Sequence, residues 1–357
     1  SAFSLRRLLS FTRREALELR RDPIRLSLAA LGSIVLMLVL GYGITLDVED
    51  LTFAVLDHDQ TSISRDYSLN LSGSRYFAER APLADYAELD RRMRAGEISL
   101  AIEIPPGFGR DLLRGRPVQV GAWIDGAMPQ RAETVRGYVQ GIHQHWLGER
   151  LREALGDAAT APLVTVETRF RYNPDVRSLP AMVPAVIPLL LMLIPAILAA
   201  LSVVREKELG TLEQLNVTPL TRTELIVGKL VPYGLVGMVD VLLVLTVAIL
   251  WFHVPMRGSY ALLFGTTLVY LVATLALGLF VSTISQTQQQ AMMTTTFFFL
   301  IPMMLLSGFV FPIENMPAAV QPITYLIPLR YFLVILRSIF LKGVGFDVLW
   351  PQIAALA

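Results

Sequence analysis

Between Gly258 and Ile313 the chain runs 56 residues without one Asp, Glu, Lys, Arg or His. An α-helix rises 1.5 Å per residue, so about 20 apolar residues cross the hydrocarbon core of a bilayer. This stretch therefore holds two crossings, divided at the polar run 282–290. The same signal places spans at 24–46, 179–204, 230–252, 259–281 and 291–311, with Asp240 the one ionisable residue deep inside any of them. A hydrophobic content of 54% against 17% charged residues excludes an ordinary water-soluble domain. The expected fold class is a polytopic α-helical membrane protein with an inserted extracytoplasmic α/β domain.

The net charge of +1 averages over unlike regions. Residues 1–25 hold seven Arg against Glu15, Glu18 and Asp22, a net of +4; residues 47–178 hold sixteen Arg and no Lys against twenty acidic side chains, a net of −4. Basic residues beside a first span are retained in the cytoplasm, so the N-terminus is expected inside and residues 47–178 outside. The first span is expected to remain uncleaved, being too long for a signal-peptide core and lacking a small-residue cleavage site.

Residues 1–23 read as an amphipathic helix on the inner membrane surface, with Leu5, Leu8, Leu9, Ala16 and Leu19 on one stripe and Arg6, Arg7, Arg13, Arg14 and Arg21 on the other. Residues 47–178 alternate between strand-like runs at 51–56, 100–104 and 118–124, with a fourth candidate at 164–172, and helical patterns at 62–72, 85–96, 108–114 and 129–155. That pattern predicts one compact α/β domain with its own core. The second span carries Pro180, Pro184, Pro188 and Pro195, the first three along one side of the helix. They form either a kinked packing face or the lining of a pathway. Residues 312–346 are broken by Pro312, Pro317, Pro322 and Pro328 and make a poor spanning helix. A sixth span is expected to start within 347–357 and to be incomplete there.

The residues that would support enzymatic chemistry are missing. Lysine occurs only at 207, 229 and 342, never in G-x-x-x-x-G-K-[ST], so the chain is not expected to bind or hydrolyse ATP itself. His58, His143, His145 and His253 form no recognisable ligand set, and Asp57-His58-Asp59 after a strand reads as a turn. No G-x-S-x-G elbow occurs, and without cysteine there is neither a disulfide nor a thiolate site. No catalytic residue, metal, cofactor or nucleic-acid partner is expected.

The connection 205–229 is of another kind. Helix-bundle loops need only a few residues, whereas this one strings 25 together with a charged helical start, a break at Thr218-Pro219 and a second helix entering the membrane. Docking to a partner explains such a segment; a solvated loop is the plain alternative.

Arg205-Glu206-Lys207-Glu208-x-Gly210-Thr211-x-Glu213-Gln214-Leu215, followed by Thr218-Pro219, resembles the motif after the second span in membrane subunits of ABC-2 type exporters. Ser307-Gly308-Phe309-x-Phe311-Pro312-Ile313-Glu314-x-Met316-Pro317 is similar to the close of their fifth span and the re-entrant hairpin after it. The large segment between the first two spans resembles the bacterial drug-efflux branch of that class. The resemblance implies six spans, both termini in the cytoplasm and residence in a bacterial inner membrane. It also implies a second permease copy, as homodimer or heterodimer, and separate ABC ATPase subunits that bind ATP and Mg. Arg205, Glu206, Lys207, Glu208, Gly210, Thr211, Glu213 and Gln214 would couple to those subunits, their carboxylates meeting basic groups there. A periplasmic adaptor on the outer domain and drug-like amphiphiles as cargo belong to the same implication. The incomplete sixth span departs from the pattern.

Two readings stand for Asp240, a hydrogen bond to a neighbouring helix or a role toward substrate. Met303 and Met304, with Met292, Met293 and Phe297 to Phe299, serve either helix packing or an adaptable apolar surface on a pathway. The expected function is the permease half of an exporter working by alternating access in contact with lipid. A membrane-anchored sensor or assembly factor, whose outer domain binds a ligand or protein, is the alternative; it needs no ATPase and fewer spans.

Overall fold

The computed structural model describes residues 3–43, 50–126, 129–155 and 178–357. The chain divides into two compact units, Ser1–Thr45 with Phe170–Ala357, and Leu46–Arg169. The first unit opens with α1 (Leu5–Arg20) and α2 (Pro23–Gly43). Asp22 separates them, its carboxylate accepting the Arg25 backbone N–H at 3.2 Å, with Pro23 in the first helical position where a missing N–H costs nothing. The buried stripe of α1 is Phe11, Glu15 and Leu19, whereas Leu5 and Leu9 are exposed. The expected leucine stripe is thus split: one face packs on protein, and Leu5 and Leu9 are left for another surface.

The inserted unit follows in the order β1 (Leu51–Asp57), α3 (Ser62–Ser72), β2 (Phe77–Glu79), α4 (Tyr86–Arg94), β3 (Leu100–Ile104), α5 (Phe108–Leu113), β4 (Gly121–Ile124) and α6 (Pro129–Leu155). The sheet order is β2-β1-β3-β4, with β1 parallel to β2 and β3, and β4 antiparallel to β3. Both faces are covered, which is why β1 and β3 read as continuous apolar runs rather than alternations. Leu51, Phe53 and Val55 pack with Tyr67, Phe108 and Trp146 on one side; Ala54 and Leu56 pack with Leu83, Leu89 and Ile98 on the other. Three-residue β2 is too short to show a period, and β4 is shorter than the expected 118–124. The candidate strand 164–172 lies outside the described residues. Asp57 folds the chain back after β1, its Oδ1 accepting the N–H groups of Asp59 and Gln60 at 2.9 Å each. Half-buried His143 borders the core at 3.1 Å from the Tyr67 hydroxyl, where burial lowers its pKa and pushes the Tyr67 phenol up to about 12. His145 instead pairs with Glu149 at the surface.

The first unit resumes with α7 (Ser178–Glu208), α8 (Leu212–Asn216), α9 (Arg222–Leu250), α10 (Tyr260–Ile284) and a fifth apolar rod. That rod consists of α11 (Gln288–Met293), a π-helical segment (Thr294–Leu300) and α12 (Ile301–Leu306). Among the described residues five helices are long and apolar enough to cross a membrane: α2, α7, α9, α10 and this rod. The central one is α7: Pro184, Pro188 and Pro195 are buried within it, and the Tyr270 hydroxyl donates to the Pro188 carbonyl at 2.9 Å. The proline side thus packs against protein and is anchored by a neighbour's hydroxyl. Beyond α12 come two 3₁₀ turns, Ile313–Asn315 and Gln321–Leu326, then α13 (Pro328–Arg337), a π-helical segment (Ser338–Lys342) and α14 (Phe346–Leu356). At 10 residues α13 is about 15 Å long, half a bilayer core. Its Leu329, Phe332, Leu333, Ile335 and Leu336 are buried, and Phe332 stacks on Tyr270 at 4.1 Å.

Close helix approach depends on small residues where lipid supplies no hydrophobic drive. A Cβ at Gly278 of α10 would press into the Ala196 carbonyl and lie 3.0 Å from the Ala199 Cβ of α7. Gly278→Val is expected to destabilise the protein by about 1–3 kcal/mol, because backbone cannot step aside as a side chain can. Gly265→Val on the same helix, with nothing within 4 Å of the added carbon, serves as the unaffected control. Thermal unfolding of the two purified variants in detergent checks the difference.

Candidate functional site

At one end of the first unit α7 runs beyond its apolar part into Arg205 to Glu208, then stops sharply. Gly210 takes φ +71, its N–H reaches the Lys207 carbonyl at 3.2 Å and the Thr211 N–H reaches the Glu206 carbonyl at 3.0 Å. This is a Schellman ending, which needs glycine at the left-handed position. Next, α8 points Leu215 inward. After Pro219, α9 begins with a reciprocal cap: Thr221 Oγ1 accepts the Glu224 N–H at 3.2 Å, and Glu224 Oε2 accepts the Thr221 N–H at 2.7 Å. Fully buried Glu224 also pairs with Arg7 of α1 at 3.1 Å, and α1 closes on α9 where Gly228 leaves room for Phe11.

The residues picked out by sequence fall into two groups. Four are paired within the chain. Glu206 is buried and pairs with Lys229 of α9 at 2.7 Å, while Lys229 also reaches Glu15 of α1 at 3.3 Å. Lys207 donates to the carbonyls of Ser282, in the last turn of α10, and Ser285, just past its end. Glu208 accepts the Gln288 N–H at 2.9 Å and its side-chain amide at 2.6 Å, so its negative charge caps the N-terminus of α11. Arg205 lies 3.8 Å from Asp22. Lys229 thus holds the Glu206 carboxylate in the interior of this chain. Glu213 and Gln214 are exposed on α8, flanked by Leu209 at 65% and Val217 at 85% exposure.

Lys229, Glu15, Leu209 and Val217 escaped the sequence reading. Lys229 stood out only as a failed phosphate-loop lysine, and its partners sit 214 and 23 positions away. Leu209 and Val217 did carry a signal, as apolar residues in a charged connection. The triad holds two carboxylates against one ammonium, and among the described residues Glu15 Oε1 and Glu206 Oε2 have no hydrogen-bond partner. Burial pushes the Glu15 carboxyl above its usual range, although Lys229 pulls the other way. A cavity of about 500 Å³ opens beside it, walled in part by Arg14, Arg25 and Tyr233. Such a site can tie α1, α7 and α9 into one mechanical body. Of the remaining candidates, Met303 and Met304 of α12 pack against the main core, and Asp240 is buried in α9.

Four apolar helices packed on proline-rich α7, which ends in a capped and ion-paired platform, make a polytopic membrane protein. A family profile described as ABC-2 family transporter protein matches residues 26–357, and the chain belongs to that family as a permease. It is 36% identical over 344 residues to the probable multidrug ABC transporter permease YbhS of Escherichia coli K12, covering 95% of this chain and 90% of the relative. To the probable multidrug permease YbhR of that organism it is 30% identical, covering 97% and 93%. To its inner membrane transport permease YhhJ it is 31% identical, covering 85% and 80%. In this family ATP is hydrolysed by a separate subunit.

Proposed function

We propose that this permease exports amphiphilic, drug-like molecules from the cytoplasm by alternating access, driven through the platform at the end of α7. The observation that carries this reading is the pairing of an exposed apolar and polar patch, Leu209, Glu213, Gln214 and Val217, with the buried triad just behind it. Force delivered by an ATPase to α8 reaches three helices at once through Lys229. The names of YbhS and YbhR support a multidrug cargo. The +4 and −4 charge split across the first span supports a cytoplasmic N-terminus with Leu46–Arg169 outside, where an adaptor could meet it. Residues 312–346 then form a re-entrant hairpin and α14 begins a sixth span.

A second permease copy completes the pathway in this reading, and self-complementary pairs are the commonest oligomers. Purifying the tagged chain in mild detergent is expected to bring down an ABC ATPase, with two permease chains per complex by mass measurement. A complex holding one permease chain and no homologous second permease would remove the shared pathway. Recovery of the folded chain without any ATPase would favour the sensor alternative.

A further inference from the structure

Asp240 stands midway along α9, 2% exposed, and among the described residues neither carboxylate oxygen has a hydrogen-bond partner. The Ser33 hydroxyl of α2, also fully buried, lies beside it without completing a hydrogen bond. Lys229 is eleven residues away on the same helix, about 16 Å at 1.5 Å per residue and beyond a lysine's reach. Among the described residues no Lys or Arg pairs with the carboxyl. A carboxylate at such depth is costly unless it gains a proton or a positive charge.

The crevice beside it has room for a positive charge. Asp240 lines a crevice of about 340 Å³ between α2 and α9, where Ala29 and Ala30 leave space and Leu26 and Leu243 supply apolar wall. Leu235 and Val239 border it and are 60% and 58% exposed, so the opening faces the surface of the unit rather than its core. A ligand matching this site has an apolar body and one cationic group. We propose that the crevice binds lipophilic cations, with the charge against Asp240 and the body between α2 and α9. Its use in transport rests on the exporter reading; binding does not.

Equilibrium binding of radiolabelled tetraphenylphosphonium to the full-length chain in zwitterionic-lipid nanodiscs, without nucleotide, tests this. Wild type is expected to bind saturably, Asp240→Asn to bind at least about tenfold more weakly, and Asp240→Glu to stay close to wild type. Ala30→Phe, which fills the crevice without touching its charge, should weaken binding too, and it keeps the test decisive if Asp240→Asn fails to fold. Tetraphenylborate, of the same shape and opposite charge, should show no saturable binding. The site is overturned if tetraphenylphosphonium binds folded Asp240→Asn and Ala30→Phe as tightly as wild type, or fails to bind folded wild type saturably. Because no ATPase takes part, a protein that binds the cation but does not export it would overturn the crevice's use in transport alone.

Discussion

Lys229→Met is expected to lose about 3–5 kcal/mol of stability, the cost of removing one partner from a buried ion pair. The ammonium is the counter-charge for both Glu15 and Glu206, and the side chains of Lys229 and Glu15 are each 4% exposed. Without it the two carboxylates must ionise unpaired or take up protons. Burial already raises the Glu15 carboxyl against the pull of Lys229, and removing that pull raises it further, so the sign follows directly: stability is retained below the unfolded pKa and falls as pH rises through the folded one. The deficit of Lys229→Met should therefore be larger at pH 8 than at pH 5. Neutralising all three positions together, with Gln at 15 and 206 and Met at 229, should recover most of the loss, since an uncharged set of similar volume is often as stable as the ions. Unfolding midpoints in detergent at the two pH values read both effects. A single variant as stable as wild type at pH 8 would mean the triad carries no structural load.

The double substitution Leu209→Asp with Val217→Asp is expected to abolish transport and to weaken ATPase co-purification by at least about tenfold, as removal of central interface contacts does. Folding should be intact, because these side chains are 65% and 85% exposed and neither lies in the core. Glu206→Lys should also stop transport, but by another route, because it sets a second cation beside buried Lys229 and loosens the platform itself. Unfolding temperature separates the two: unchanged for the surface pair, lowered for Glu206→Lys. If the surface pair retains the ATPase at wild-type levels, the docking surface lies elsewhere.

The apolar runs were legible because hydrocarbon imposes a length and a composition on anything that crosses it, and no tertiary contact is needed to read either. Helix ends were less so: α7 extends to Glu208 and α9 begins at Arg222, since charged residues continue a helix as readily as apolar ones once they leave the membrane. In the inserted unit, strands covered on both faces announced themselves as apolar runs, whereas β2 at three residues had no period to show. The glycine stop at Gly210 was visible as a motif, and its reason became clear with the positive φ and the paired carbonyls.

The sequence by itself determined a polytopic membrane protein that resembles ABC-2 permeases and carries no G-x-x-x-x-G-K-[ST] loop. Tertiary structure decided which of its charges are available. Glu206, Glu208 and Glu213 are alike on paper, yet one is locked to Lys229, one caps α11 and one faces outward. The same holds for Asp240, whose missing partner shows only once α2 and α9 are placed together. Hydrophobicity is a property of each residue and sums along the chain; the cost of a charge depends on what lies within a few ångströms, and residues far apart in sequence supply that.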